Sequence, residues 1–206
     1  MIPTIIENIC QYLQEKDFSL SSNFTNGRIN SSVNEEMILN LITQKFDIVK
    51  PRAREWFDFA IEDNDKFYPV NIKITDTTHT DNLSCKLGIY YALTGLLPDI
   101  PNEVSWEKFF AKLYNNIGMY KDRDYYFLIV NKNNKKDIFA NSLKNLQEIY
   151  PNGNNLPFQC KWEINRISSD RTFEEAKDFI LKTLGDSIKQ RSNIYFSFQK
   201  YFSNYV

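Results

Sequence analysis

The sequence predicts an α/β domain in which a mixed central β-sheet is flanked by helices. Three features of the chain lead there. Within residues 54–75, apolar residues alternate on both sides of the polar cluster Glu62-Asp63-Asn64-Asp65, the pattern of two strands joined by a tight turn. Residues 125–130, Tyr-Tyr-Phe-Leu-Ile-Val, are apolar throughout, as in a strand buried on both faces. Helical stripes occur before, between and after these segments.

In chain order, Ile2, Ile5, Ile6, Ile9, Cys10 and Leu13 form a first helical stripe that ends near Lys16. The polar residues 19–32, with Asn26-Gly27, read as a loop. A second helix is expected over 32–45, capped by Ser31, Ser32 or Asn34, with Glu35 and Glu36 at its positive end. Its buried stripe is Val33, Met37, Ile38 and Leu41, with Ile42 at the edge, and Glu35 lies nearer that stripe than Glu36. In the hairpin, Phe57, Phe59 and Ile61 share one face, which turns Trp56, Asp58 and Ala60 to the other. On the second strand Val70, Ile72 and Ile74 oppose Asn71, Lys73 and Thr75.

A polar loop at 76–80 then precedes a helix over 81–94, stopped by Gly95, and an amphipathic helix over 106–117. Ile138-Phe139 reads as a short strand and 142–149 as a helix. Residues 151–155, Pro-Asn-Gly-Asn-Asn, are a loop. The strand at 158–164 has Gln159 and Lys161 on one face and Cys160 and Trp162 on the other. Thr172 caps a helix over 172–190, and the aromatic tail 195–205 is expected to extend it or fold back on it. The whole is expected to be one domain, 1–206, with a core at 30–165 and the helical regions 1–16 and 172–206 appended.

Composition excludes several functions. A mean hydropathy of −0.47 and the lack of a long apolar run leave no membrane span, and the first residues lack the basic start of a signal peptide. Cys10, Cys85 and Cys160 lie far apart, which suits a reducing compartment and neither a disulfide framework nor a zinc site. The lone histidine, His79, leaves Ser-His-Asp chemistry little to work with, and no glycine-rich phosphate loop is present. The net charge of −1 gives no global case for nucleic acid, so a DNA enzyme of this balance must concentrate its cations in a cleft.

If the hairpin pairs normally, Asp58, Asn71 and Lys73 converge on one polar spot over an apolar sheet. A carboxylate to hold a cation, beside a lysine to orient water, is what metal-assisted phosphodiester hydrolysis requires. This pattern resembles the PD-(D/E)xK nuclease signature of type II restriction endonucleases. Asp58 matches the first acidic position and Lys73 the lysine, while Asn71 fills the slot where the family usually carries Asp or Glu, and Phe57 stands where it has proline. The element order, helix, strand, strand, helix, strand and a later strand, is similar to the core of that family, so a restriction-endonuclease-like core is expected.

The resemblance implies a Mg²⁺-dependent enzyme that cuts double-stranded DNA at a short site, acts as a homodimer, and works in a bacterial or archaeal cytoplasm. It implies that Asp58, the Asn71 side-chain oxygen and the Ile72 carbonyl hold the metal. Lys73 would position the water, and Glu35 would assist or hold a second cation. Thr78, Thr80, Asn82 and Lys86 crowd the carboxyl end of the second strand, where a backbone phosphate would lie. Asn154, Asn155 and Gln159 carry amides able to bond adenine edges. Ordinary capping and turn chemistry is the competing explanation for these loop residues. Asn71 keeps open a DNA-binding protein without cleavage, a repair or recombination nuclease of the same fold, and an interaction protein in which Asp58 and Lys73 merely pair.

Overall fold

A computed structural model describes residues 1–21, 27–52, 55–63, 65–83, 86–101, 103–154 and 156–205. The chain forms helices α1 (Thr4–Glu15) and α2 (Gly27–Thr43), then strands β1 (Phe59–Asp63), β2 (Lys66–Thr75) and β3 (Thr80–Asn82). Helices α3 (Lys86–Thr94) and α4 (Trp106–Asn116) lead to β4 (Tyr126–Asn131) and β5 (Ile138–Ser142). The short β6 (Tyr150–Pro151), β7 (Phe158–Lys161) and the long α5 (Phe173–Tyr201) complete it.

The alternating hairpin folds as read, with β1 antiparallel to β2, Phe59 opposite Val70 and Asp63 opposite Lys66. Asp65 makes the turn at φ 62°, a left-handed conformation that short polar side chains tolerate. β2 then pairs in parallel with β4 through a crossover containing α3 and α4, and β4 pairs antiparallel with β5. The result is a mixed sheet in the order β1-β2-β4-β5, flanked by helices. β4 lies between two strands and is covered on both faces, which accounts for its unbroken apolar run.

Alternation sorts the sheet's side chains into two cores. Phe59, Ile61, Val70, Ile72, Tyr126 and Leu128 pack against α1 and α2. Ala60, Phe127 and Ile129 face α3, α5 and a second, three-stranded sheet ordered β3-β7-β6. No described helix is long and apolar enough to cross a membrane.

Several local expectations are corrected. α2 starts at Gly27, well before 32, and Val33 is exposed. Its buried row is Asn34, Ile38 and Ile42, where Asn34 accepts from the Ser21 N–H at 2.6 Å and donates to the Ser21 carbonyl at 3.1 Å. Residues 80–82 form a strand paired with β7, so the helix begins at Lys86 rather than 81. Residues 143–145 make a single 3-10 turn, and 142–149 is no α-helix. The aromatic tail, by contrast, extends the last helix, one of its two expected arrangements, so α5 runs from a Thr172 cap completed by Glu175 to Tyr201.

The segment entering β1 also departs from strict alternation. Phe57 packs in the same core as Trp56 and Ala60, not with Phe59. Asp58 donates its N–H to the Val70 carbonyl at 2.9 Å, although Phe59 is the residue opposite Val70. Two successive residues thus face one, as in a β-bulge, which re-aims the side chains before it. Trp56 anchors this entry, lying against Phe57, Phe67, Tyr91 and Tyr125, and its carbonyl accepts from the buried Tyr125 hydroxyl at 2.7 Å. Tyr125→Phe leaves that carbonyl without its hydroxyl donor and should cost about 1–2 kcal/mol. Urea unfolding should show the loss as a lower midpoint at unchanged slope.

Candidate active site

The bulge delivers Asp58 to the start of β1, beside the middle of β2. Its Oδ2 accepts from the Ile72 N–H at 2.6 Å. The N–H and C=O of one strand residue point to the same edge. The Ile72 carbonyl is therefore directed toward the Asp58 side as well. Asn71 and Lys73 project from the opposite face of β2 to Val70 and Ile72, over Phe127 and Ile129 of β4.

Burial sets the electrostatics of this corner. The Asp58 carboxyl is pushed from 3.8 to about 6, chiefly because burial removes water from the charged form. The Ile72 N–H opposes that shift, the nearby Glu35 carboxylate reinforces it, and Lys73 offsets it slightly. Glu35, half-buried on α2, is thus close enough to feel Asp58, while Glu36 is exposed. Asn71 adds a second uncompensated feature. Its Oδ1 is buried and accepts no hydrogen bond. A buried amide oxygen without a donor is costly, and native structures seldom leave one.

A divalent cation at this corner would need several oxygen donors. Among the described residues no three His, Cys, Asp or Glu side chains converge on a common point. The donor set is instead mixed, with the Asp58 and Glu35 carboxylates, the orphaned Asn71 Oδ1 and the Ile72 carbonyl. All are hard oxygens, the donors Mg²⁺ selects. A cation there would satisfy Asn71 and neutralise the charge that burial disfavours on Asp58, so the residues fit the ion.

The Lys73 ammonium donates to the Asn82 carbonyl at 2.7 Å, linking the main sheet to β3. An ammonium has three N–H donors, so two are left for water or phosphate. The Asn82 side-chain oxygen accepts from Asn152 and from Gln159, each at 3.0 Å. Asn82, Gln159 and Lys73 thus form one continuous polar surface. Asn154 is exposed next to it, its N–H bonded to Asn152 Oδ1 at 3.2 Å. Asn155 lies outside the described residues.

The other loop candidates sit apart in bonding. Thr78 is bonded to Asp76 through both its N–H and its hydroxyl, an ordinary turn. Thr80 is exposed opposite Lys161 on β7. Lys86 donates to the Val104 carbonyl and lies over the Trp106 ring at 5.0 Å, toward the α4 entry. Sequence reasoning missed Asn152, buried and bridging Asn82 to Asn154. Its only signal was a Pro-Asn-Gly turn, which reads as a surface loop.

A raised carboxyl pKa has a definite sign for stability. The protonated Asp58 form favours the fold fully below about pH 4, and that contribution is lost as pH rises through 6. In chelator, Asp58→Asn should therefore flatten the decline of stability between pH 4 and 7. At pH 8 it should be more stable than the parent by about 2 kcal/mol. Thermal unfolding across that range, with an unchanged slope in the variant, would remove Asp58 as the source.

No protein-family model and no curated protein matches this chain, so the chemistry of the site is read from its own geometry.

Proposed function

We propose that the protein is a Mg²⁺-dependent deoxyribonuclease of the type II restriction class, with a PD-(D/E)xK-like site on a restriction-endonuclease-like core. Its substrate is double-stranded DNA at a short site, in the cytoplasm of a bacterium or archaeon. The observation that carries this reading is the buried Asn71 oxygen without a donor, on the residue before Ile72, whose N–H bonds the desolvated Asp58, and two residues before Lys73.

Asp58, Asn71 Oδ1 and the Ile72 carbonyl are the ligands, with Glu35 as a further carboxylate. Bound Mg²⁺ supplies positive charge beside the scissile phosphate. Lys73, fixed at one N–H by Asn82, holds the attacking water with the others. Glu35 takes the water's proton as the oxygen attacks phosphorus opposite the leaving 3′ oxygen. The P–O3′ bond breaks, the 3′ oxygen is protonated by solvent, and the other end keeps a 5′-phosphate. Asn71 brings no charge, so a protein that binds DNA without cutting it is the second reading.

Cutting both strands of a symmetric site needs two such centres, hence a homodimer. The last part of α5 offers a surface for the second copy. Ile194, Tyr195, Phe198, Tyr201 and, just past the helix, Phe202 are 45–72% exposed within one arc of it. At roughly 200 Å² per large side chain this is about 600 Å² per copy, the larger part of the roughly 800 Å² per partner of a stable interface.

Purified protein with plasmid DNA should cleave with Mg²⁺ and not without it. Lys73→Ala should slow cleavage by about 10²–10⁴-fold while keeping DNA affinity. Cleavage at the parent rate would sink the assignment. Asn71→Asp should lower the Mg²⁺ concentration needed, because it returns a charged oxygen to the site. A parent that binds but never cuts, with Asn71→Asp cutting, selects the second reading. Sedimentation should find two chains per duplex, reduced to one by Ile194→Ser with Tyr201→Ser.

A further inference from the structure

Beside Asn82 lies a polar cleft of about 490 Å³, walled by Asn82, Asn152, Gly153, Asn154, Leu156 and Arg191. Among the described residues no carboxylate lines it, and Arg191 is the one charged residue that does. α5 places this arginine firmly. Ser187, one turn earlier, donates to the Asn152 carbonyl at 2.5 Å. A Cβ built on Gly153 would come within 3.3 Å of Gln190 Cβ, so the loop backbone lies directly on the helix.

The Arg191 guanidinium sits over the Trp106 ring at 4.7 Å. Its Nε and Nη2 are buried and donate to nothing, and no described carboxylate pairs with it. Those two nitrogens share one edge of the group, the fork that engages a phosphate or carboxylate with two parallel bonds. A desolvated cation with its fork empty is costly unless an anion completes it. Burial accordingly pulls the Arg191 pKa below its usual range, yet an arginine stays charged.

We infer that this cleft is an anion site that takes a backbone phosphate of the bound strand, engaged by the Arg191 fork. The inference rests on the nuclease reading of the Asp58–Lys73 site. Asn82 joins the two places, since its carbonyl holds the Lys73 ammonium and its side chain walls the cleft. A strand whose scissile phosphate meets Lys73 therefore passes the cleft mouth. Arg191 already lines that cleft, with the two nitrogens of its fork unengaged. Asn152 and Asn154 add neutral amide donors and no repulsion.

The test is duplex binding by fluorescence anisotropy in Ca²⁺, in place of Mg²⁺, between 50 and 200 mM salt. Arg191→Ala should bind about tenfold more weakly, and its slope of log affinity against log salt should fall by about 1, one phosphate contact. Arg191→Lys should keep the slope and lie between the two in affinity. Equal slopes for the parent and Arg191→Ala overturn the inference, whatever happens to melting temperature, since lost packing on Trp106 alone does not change the slope. If the parent fails to bind any duplex, the nuclease reading falls, and thermal shifts with inorganic phosphate decide the cleft separately. Stabilisation of the parent but not of Arg191→Ala keeps the anion site with free phosphate as its ligand. No shift in either ends it.

Discussion

The bond from the Ile72 N–H to the Asp58 carboxylate is the interaction on which the candidate site depends. It forms only because a bulge before β1 places Asp58 beside β2 instead of in register with it. It also works against burial, holding a carboxylate where water is scarce and where Glu35 adds a second negative charge. One backbone donor does not cancel that cost. The corner is thus built with an excess of negative potential and an amide oxygen without a donor, which is the electrostatic complement of a small hard cation. Carboxyl groups shifted in this way by burial and by neighbouring charge cluster at functional sites.

The rest of the architecture frames that corner. The Trp56 cluster fixes how the chain enters β1, through stacked rings and the Tyr125 hydroxyl. On the other side, Lys73 is tethered to a strand of the second sheet, so its ammonium is positioned by β3 as well as by β2. The three-stranded sheet in turn is tied to α5 through Asn152 and Ser187. A side chain on the last helix is therefore linked to the lysine by a short run of hydrogen bonds and packed backbone.

Where local pattern and final packing agree, the sequence was readable. The pairing of the hairpin past its bulge, the unbroken apolar run of β4 and the stripe of α1 each formed as their patterns imply. Residues 142–149 failed for an instructive reason. Leu143, Leu146 and Ile149 are all buried at a spacing of three, which imitates a helical stripe. The spacing comes instead from one 3-10 turn followed by extended chain. β3 is three residues long, too short to show alternation, and its pairing with β7 is a long-range fact. In the site, strand parity places Asn71 and Lys73 together on β2, whereas the position of Asp58 depends on the bulge, which parity does not show. The closeness of Glu35 depends on how α2 docks, and the roles of Asn152 and Arg191 depend on a loop meeting a distant helix. No local signal carries that information.

The chain has three tryptophans, and each stands at a different part of this frame. Trp56 holds the entry to Asp58, Trp106 lies beneath Arg191, and Trp162 donates to Asp81, next to Asn82, at 2.9 Å. An indole's emission responds to the polarity and charge around it. The molecule therefore carries three native optical reporters, spread over the Asp58 corner, the cleft and the strand that joins them. Replacing them singly by phenylalanine would separate, by light alone, the arrival of a cation from the arrival of an anion.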